Sequence, residues 1–181
     1  YYLTEDARSQ KLREQYVAHV TKMFVLLGDT PEQAATEAAD VMRIETALAK
    51  GSMGRVEMRD PANRYHVMTV AEVQTLSPDF DWKMYLDGIG VGQAKTLNVI
   101  SPGFVKTANA EIEAEGLPAL KSYMRWHALH AAAPMLAKPF EEENFAFFNA
   151  TLNGQKEEQP RWKRCTRLTD AACTASSAAA L

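Results

Sequence analysis

The chain has 181 residues, of which 46% are hydrophobic and 24% charged. That balance fits one globular domain of ordinary size and excludes disorder along the whole chain. Twenty Lys and Arg face 23 Asp and Glu, for a formal net charge of −3, so the basic excess of a phosphate-binding surface is missing and no nucleic-acid partner is expected.

The elements read as helices joined by short loops, because Ala is frequent and sustained Val/Ile/Thr alternation is absent. A first helix is predicted over 5–27, capped by Thr4, with Leu12, Tyr16, His19, Val20, Met23, Leu26 and Leu27 on one packing face and Gly28 as its stop. Thr30, Pro31 and Gln33 give the clearest start signal in the chain. The second helix places Ala34, Ala38, Val41, Met42, Glu45 and Leu48 along one side, and these two helices should form an antiparallel hairpin. Residues 51–68 read as loop. Thr69 and Glu72 form a capping box for a short helix to Leu76, and a second short helix follows over 81–86. Residues 97–100 suit a brief extended piece, and Ser101-Pro102 opens a helix to about Glu115. Gly116-Leu117-Pro118 is expected to break that helix, and an apolar helix is expected over 119–137, which Pro134 kinks or ends. A phenylalanine-rich helix is expected over 140–152 and a last amphipathic helix over 157–169. The Ala/Ser-rich tail, 171–181, is expected to be frayed or poorly packed. The expected architecture is an all-α, antiparallel, bundle-like lobe over 1–170, incomplete in itself, followed by an atypical tail.

No residue set qualifies as a catalytic, cofactor or metal site. The four histidines are His19, His66, His127 and His130, and no His-Glu-x-x-His occurs. His127 and His130 lie three apart on one predicted helix with Glu141, Glu142 and Glu143 a loop away. A metal site needs three or four ligands and an ordering outer shell, so packing is the preferred reading of the pair. The three glutamates suit the positive end of a helix. Gly88-Ile89-Gly90-Val91-Gly92 lacks the Gly-x-Gly-x-x-Gly spacing and follows a helix, so it reads as a turn. Arg161, Lys163, Arg164 and Arg167 form a local basic run, read as a solvated face or an interdomain contact. Cys165 and Cys173 would sit roughly 12 Å apart on one continuous helix, too far to pair, and they do not decide the redox compartment.

Several segments taken together resemble the neprilysin-like zinc metallopeptidases, the M13 family. They are Tyr1-Tyr2-Leu3, the run from Arg13 to Val20 leading to Leu26-Leu27-Gly28, and the run from Val41 to Ala49. They continue with Arg59-Asp60-Pro61 through Tyr65 to Thr69, then Phe80-Asp81-Trp82, Tyr123-Met124-Arg125-Trp126-His127, and Pro160 to Cys165. The resemblance covers about residues 1–170 and implies the first portion of the helical, non-catalytic lobe. In that family the other lobe carries zinc, and the helical lobe closes over the active site and restricts substrates to peptides. The resemblance therefore implies a chain inactive alone, with zinc only in the absent catalytic lobe. That lobe and the peptide substrates of the whole enzyme would be its partners, at an extracytoplasmic location. It also implies that Trp82, Phe104, Trp126, Phe145 and Trp162 belong to the interior. Asn109-Ala110 stands outside the context of the family's substrate-grasping Asn-Ala motif. The chain opens without Met, as expected of an interior or mature segment, and has no run near the roughly 18 apolar residues of a membrane-spanning helix. Two other readings compete: an autonomous helical binding or scaffolding module, and a stand-alone enzyme using His127, His130 and the Glu141 cluster.

Overall fold

In a computed structural model that describes residues 1–178, the first helix, α1 (Ala7–Leu27), is capped by Asp6 rather than Thr4. The Asp6 carboxylate accepts from the Ser9 backbone N–H at 2.9 Å and from its hydroxyl at 2.7 Å. A charged acceptor with two donors outcompetes a neutral threonine at the positive helix end. The carbonyl of Thr4 instead receives the Arg13 guanidinium at 2.8 Å. Gly28 ends α1 at φ +112°, where it returns its N–H to the last carbonyls. The helix buries Leu12, His19, Val20, Met23 and Phe24. Leu26 and Leu27 stand exposed instead of joining that face, next to the turn that closes the hairpin.

Thr30 and Pro31 start α2 (Pro31–Gly51) as expected, with Thr30 Oγ accepting from Gln33 N–H at 3.2 Å. Ala34 and Ala38 let α2 lie close against α1, and Val41 and Ile44 complete its buried stripe. The third wall of this core is α6 (Leu117–Ala132), which supplies Trp126 and Leu129. Gly116-Leu117-Pro118 breaks the preceding helix as expected and also supplies the first turn of α6, two residues earlier than read, because that turn has no use for the N–H that proline lacks. Pro134 ends it early, in a 3-10 turn at Ala133–Met135, so the helix stops short of residue 137.

Residues 51–68 are not plain loop. They hold two 3-10 turns, Glu57–Arg59 and Pro61–Arg64, and the start of strand β1 (Val67–Thr69). Strand β1 pairs antiparallel with β2 (Thr96–Asn98), Val67 opposite Asn98 and Thr69 opposite Thr96. Three-residue strands carry too little alternation to be read in a sequence. The Asn98 side chain clamps the pair, accepting from His66 N–H at 2.8 Å and donating to the Arg64 carbonyl at 3.0 Å. Between the strands lie α3 (Val70–Leu76), begun by the reciprocal Thr69–Glu72 capping box, and α4 (Trp82–Gly88).

Helix α5 (Pro102–Ala114) fastens this part to the hairpin by crossing α2 where both are glycine. A Cβ on Gly103 would meet the Gly51 carbonyl oxygen at 3.1 Å, and one on Gly51 would overlap the Thr107 side chain. The phenylalanine-rich stretch divides into α7 (Lys138–Asn144) and a π-helical turn, Phe145–Thr151. The last helix, α8 (Arg161–Ala178), starts four residues later than predicted and continues through most of the expected tail. Residues 179–181 of that tail lie outside the described residues. Of the aromatics expected inside, Trp126 is buried and Trp82 and Phe145 are half-buried, but Phe104 and Trp162 are exposed.

The glycine crossing generates a test. Gly51→Ala should lower stability by about 1–3 kcal/mol through overpacking. Adding Thr107→Ala, which removes the overlapping hydroxyl and methyl, should recover part of the loss in urea unfolding.

Candidate functional site

The densest group of polar side chains lies inside the helical core and centres on Glu45 of α2. Its carboxylate accepts the Tyr2 hydroxyl at 2.8 Å and the Tyr16 hydroxyl at 2.9 Å, and His127 Nε2 stands at 3.4 Å. Tyr16 in turn accepts the Trp126 indole N–H at 2.8 Å. Helix α1 contributes Tyr16 and α6 contributes Trp126 and His127, so one carboxylate ties three helices and the N-terminal segment. Burial, reinforced by the charge of Glu45, pushes the Tyr2 and Tyr16 phenols well above their ordinary range and raises Tyr123 as well. Both hydrogen-bonded phenols therefore stay protonated and act as donors, not as nucleophiles or bases.

A second polar pair lies one turn further along α1. His19 is buried, and its Nδ1 contacts Glu143 Oε1 at 3.0 Å. Phe147 stacks on the imidazole at 5.0 Å, and Trp126 and Phe148 meet it edge-on at 5.6 and 5.4 Å. Burial holds the His19 pKa below its ordinary value, against the opposing pull of Glu143. His130 stacks on Trp126 and Phe148 at 5.5 and 4.3 Å, and burial lowers its pKa too. At the hairpin end, Arg125 of α6 reaches Asp29 and Glu37, both at 2.7–2.8 Å, and covers the Phe24 ring.

The structure separates the residues that the sequence set side by side. His127 turns to Glu45 and Tyr123, whereas His130 turns to Trp126 and Phe148. The glutamates of α7 diverge: Glu141 to Arg164, Glu142 to Lys138 and Glu143 to His19. Among the described residues no three His, Cys, Asp or Glu side chains gather as a metal would require. Gly88 to Gly92 end α4 and turn, with Gly90 at φ +79°. In the basic run, Arg164 bridges Glu141 and Glu158, Lys163 lies over the Trp162 ring, and Arg161 and Arg167 are exposed. Arg164 and Arg167 line a cleft of about 410 Å³ between α8 and the π-helical turn. Cys165 and Cys173 stand on the continuous α8, eight residues apart, and no disulfide joins them. Asn109 is spent on structure, exchanging hydrogen bonds with the Asp79 backbone and carboxylate. Sequence reasoning did not join Tyr2, Tyr16, Glu45 and Trp126. The available signal was the placing of Tyr16, His19 and Glu45 on helix faces otherwise apolar.

This arrangement orders helices, and the comparison with known proteins decides the family. The N-terminal model of peptidase family M13 matches residues 1–178. The chain belongs to peptidase family M13. Endothelin-converting enzyme 1 of Rattus norvegicus is 25% identical over 175 residues, covering 94% of this chain. Neprilysin-3 of Drosophila melanogaster is likewise 25% identical over 181 residues. The cryo-EM structure of the Mycobacterium tuberculosis zinc metalloprotease Zmp1 in its open state superposes with a TM-score of 0.87 at 28% identity over 92% of this chain. The M13 chain spans only 23% of the length of those two curated relatives and 26% of Zmp1. Its predominantly helical character, with only a two-stranded sheet beside eight α-helices among the described residues, and its family agree with the sequence reading.

Two measurements test the core network. Glu45→Ala leaves two half-buried phenols without their acceptor and should cost about 1–3 kcal/mol, and Glu45→Gln less, in thermal unfolding. His19 and His130 bind protons less readily folded than unfolded, so stability should be full above their ordinary value of 6.5 and decline as pH falls below it. His19→Gln should flatten that decline in unfolding midpoints measured against pH.

Proposed function

We propose that this chain is the helical, non-catalytic N-terminal part of a zinc metalloendopeptidase acting on peptides. It walls the active-site chamber, restricts what enters, and is inactive alone. The observation that carries this reading is the family match over residues 1–178 in a chain about a quarter as long as its relatives and without a His-Glu-x-x-His. The family's zinc does not fit the residues present. His127 is engaged by Glu45, His130 is packed between aromatic rings, and the Glu141–Glu143 carboxylates point to three different partners, Arg164, Lys138 and His19. The metal belongs to the lobe outside this chain, where it supplies the hydrolytic chemistry.

A chamber wall has to keep its shape while substrates press on it. The Glu45 network and the aromatic packing around His19 support that role, since satisfied buried polar networks favour one arrangement of helices over its neighbours. The catalytic lobe of the same protein is the partner, peptides are the substrates of the whole enzyme, and its place of action is extracytoplasmic.

The test is zinc content together with cleavage of a mixed peptide library. The purified 181-residue chain should carry no stoichiometric zinc and cleave nothing, while the full-length parent does both. Stoichiometric zinc and chelator-sensitive cleavage in the chain alone would overturn the reading.

A further inference from the structure

Residues 54–65 are exposed without exception, yet their backbone is tied by their own side chains. Glu57 Oε2 accepts from Gly54 N–H at 2.8 Å, Asp60 Oδ1 accepts from Ala62 N–H at 2.9 Å, and Asn63 donates to the Glu57 carbonyl at 3.0 Å. The Asn98 clamp holds the far end at Arg64 and His66. A segment that buries nothing ordinarily gains too little to offset the entropy of ordering. Here the backbone is fixed while the apolar side chains are left outside: Val56 is 78% exposed, Tyr65 72%, Val67 50% and Met58 44%.

The charges are arranged with the same asymmetry. Both acids of the segment bond inward to backbone N–H groups. Arg55, Arg59 and Arg64 have no carboxylate within ion-pair distance among the described residues. Lys50 and His66 line a cleft of about 580 Å³ beside them, and His66 Nδ1 is buried there without a hydrogen-bond partner. Arginine, tyrosine and methionine around a rigid centre is the composition of an interface, whereas solvated faces favour lysine and glutamate.

We infer that segment 54–67 is a preformed docking knob for an acidic, partly apolar surface on the polypeptide that lies outside this chain in the parent peptidase. The inference rests on the reading above, in which such a polypeptide exists, and charge complementarity selects its chemistry. The guanidiniums set orientation and exclude a basic surface, while Tyr65, Val56 and Met58 supply the desolvated centre.

Arginine footprinting of the full-length parent with a dicarbonyl reagent, read by mass spectrometry, tests it. Arg8 and Arg161, also exposed and outside any ion pair, serve as internal references. Arg55, Arg59 and Arg64 should react about tenfold more slowly than the references, matching more than 1 kcal/mol of protection. The Arg55→Glu, Arg59→Glu, Arg64→Glu triple variant should lower the parent's unfolding midpoint and remove its salt dependence. Reaction as fast as Arg8, at every salt concentration, would overturn the inference. So would protection that grows with protein concentration, which means a second copy, or that needs anionic vesicles or nucleic acid. Chelator-sensitive peptidase activity of the same parent is measured in parallel. Its presence with fast labelling sinks only the docking knob; its absence sinks the metallopeptidase reading instead.

Discussion

A carboxylate inside a helical core is a constraint before it is anything else. Glu45 sits where α1, α2 and α6 converge, and its charge has to be answered by donors from the other elements. Tyr2, Tyr16 and His127 answer it, and the Trp126 indole satisfies the far side of Tyr16. Each partner reaches Glu45 from a different stretch of chain, so a slide or rotation of α1 or α6 against α2 would strand at least one polar group. Apolar packing among Val20, Met23, Phe24, Ala38 and Val41 tolerates small shifts; this network does not. Hydrophobic burial supplies most of the stability of the hairpin and α6, and the network selects their register.

From that fixed hairpin the rest of the chain is hung at a few points. His19 and the rings of Phe147 and Phe148 hold α7 and the π-helical turn against α1. The Gly51–Gly103 crossing holds α5 against α2, and the Asp79–Asn109 bonds hold the start of α4 against α5. Arg164 fastens α8 through Glu141 and Glu158. The core is therefore concentrated in one half, and the other half is joined by backbone proximity and polar clamps. A fold built this way presents one densely packed part and a set of outlying surfaces still open to further contact.

Local physics was legible where one or two residues decide an outcome. Thr30-Pro31, the Thr69–Glu72 box and Ser101-Pro102 each announced a helix start, and each start is where it was read. The reading failed where competition between neighbours decides. Asp6 displaced Thr4 because Ser9 offered it two donors. The extended piece at 97–100 was read and overlaps β2, but β1 and its pairing were missed because three residues carry no periodicity and the Asn98 clamp acts across more than thirty positions. The same holds for the core network: Tyr16 and Glu45 were each read only as members of a packing face, and only the fold joins them. Trp162 and Phe104 show the limit of reading aromatics as interior, since their surroundings within this chain do not cover them.

The π-helical turn at Phe145–Thr151 deserves a last thought in terms of counting residues. There the Leu152 N–H reaches back five positions to the Phe147 carbonyl, so the backbone spends an extra residue without advancing by a full helical step. That widening lets the neighbouring rings of Phe147 and Phe148 both meet His19, which the ordinary helical period would set about 100° apart. It also sets the heading of the chain as it leaves for α8. The aim of everything downstream thus hangs on a single residue of surplus length: a homologue one residue shorter here would have to give up one of the two ring contacts or send its last helix in another direction.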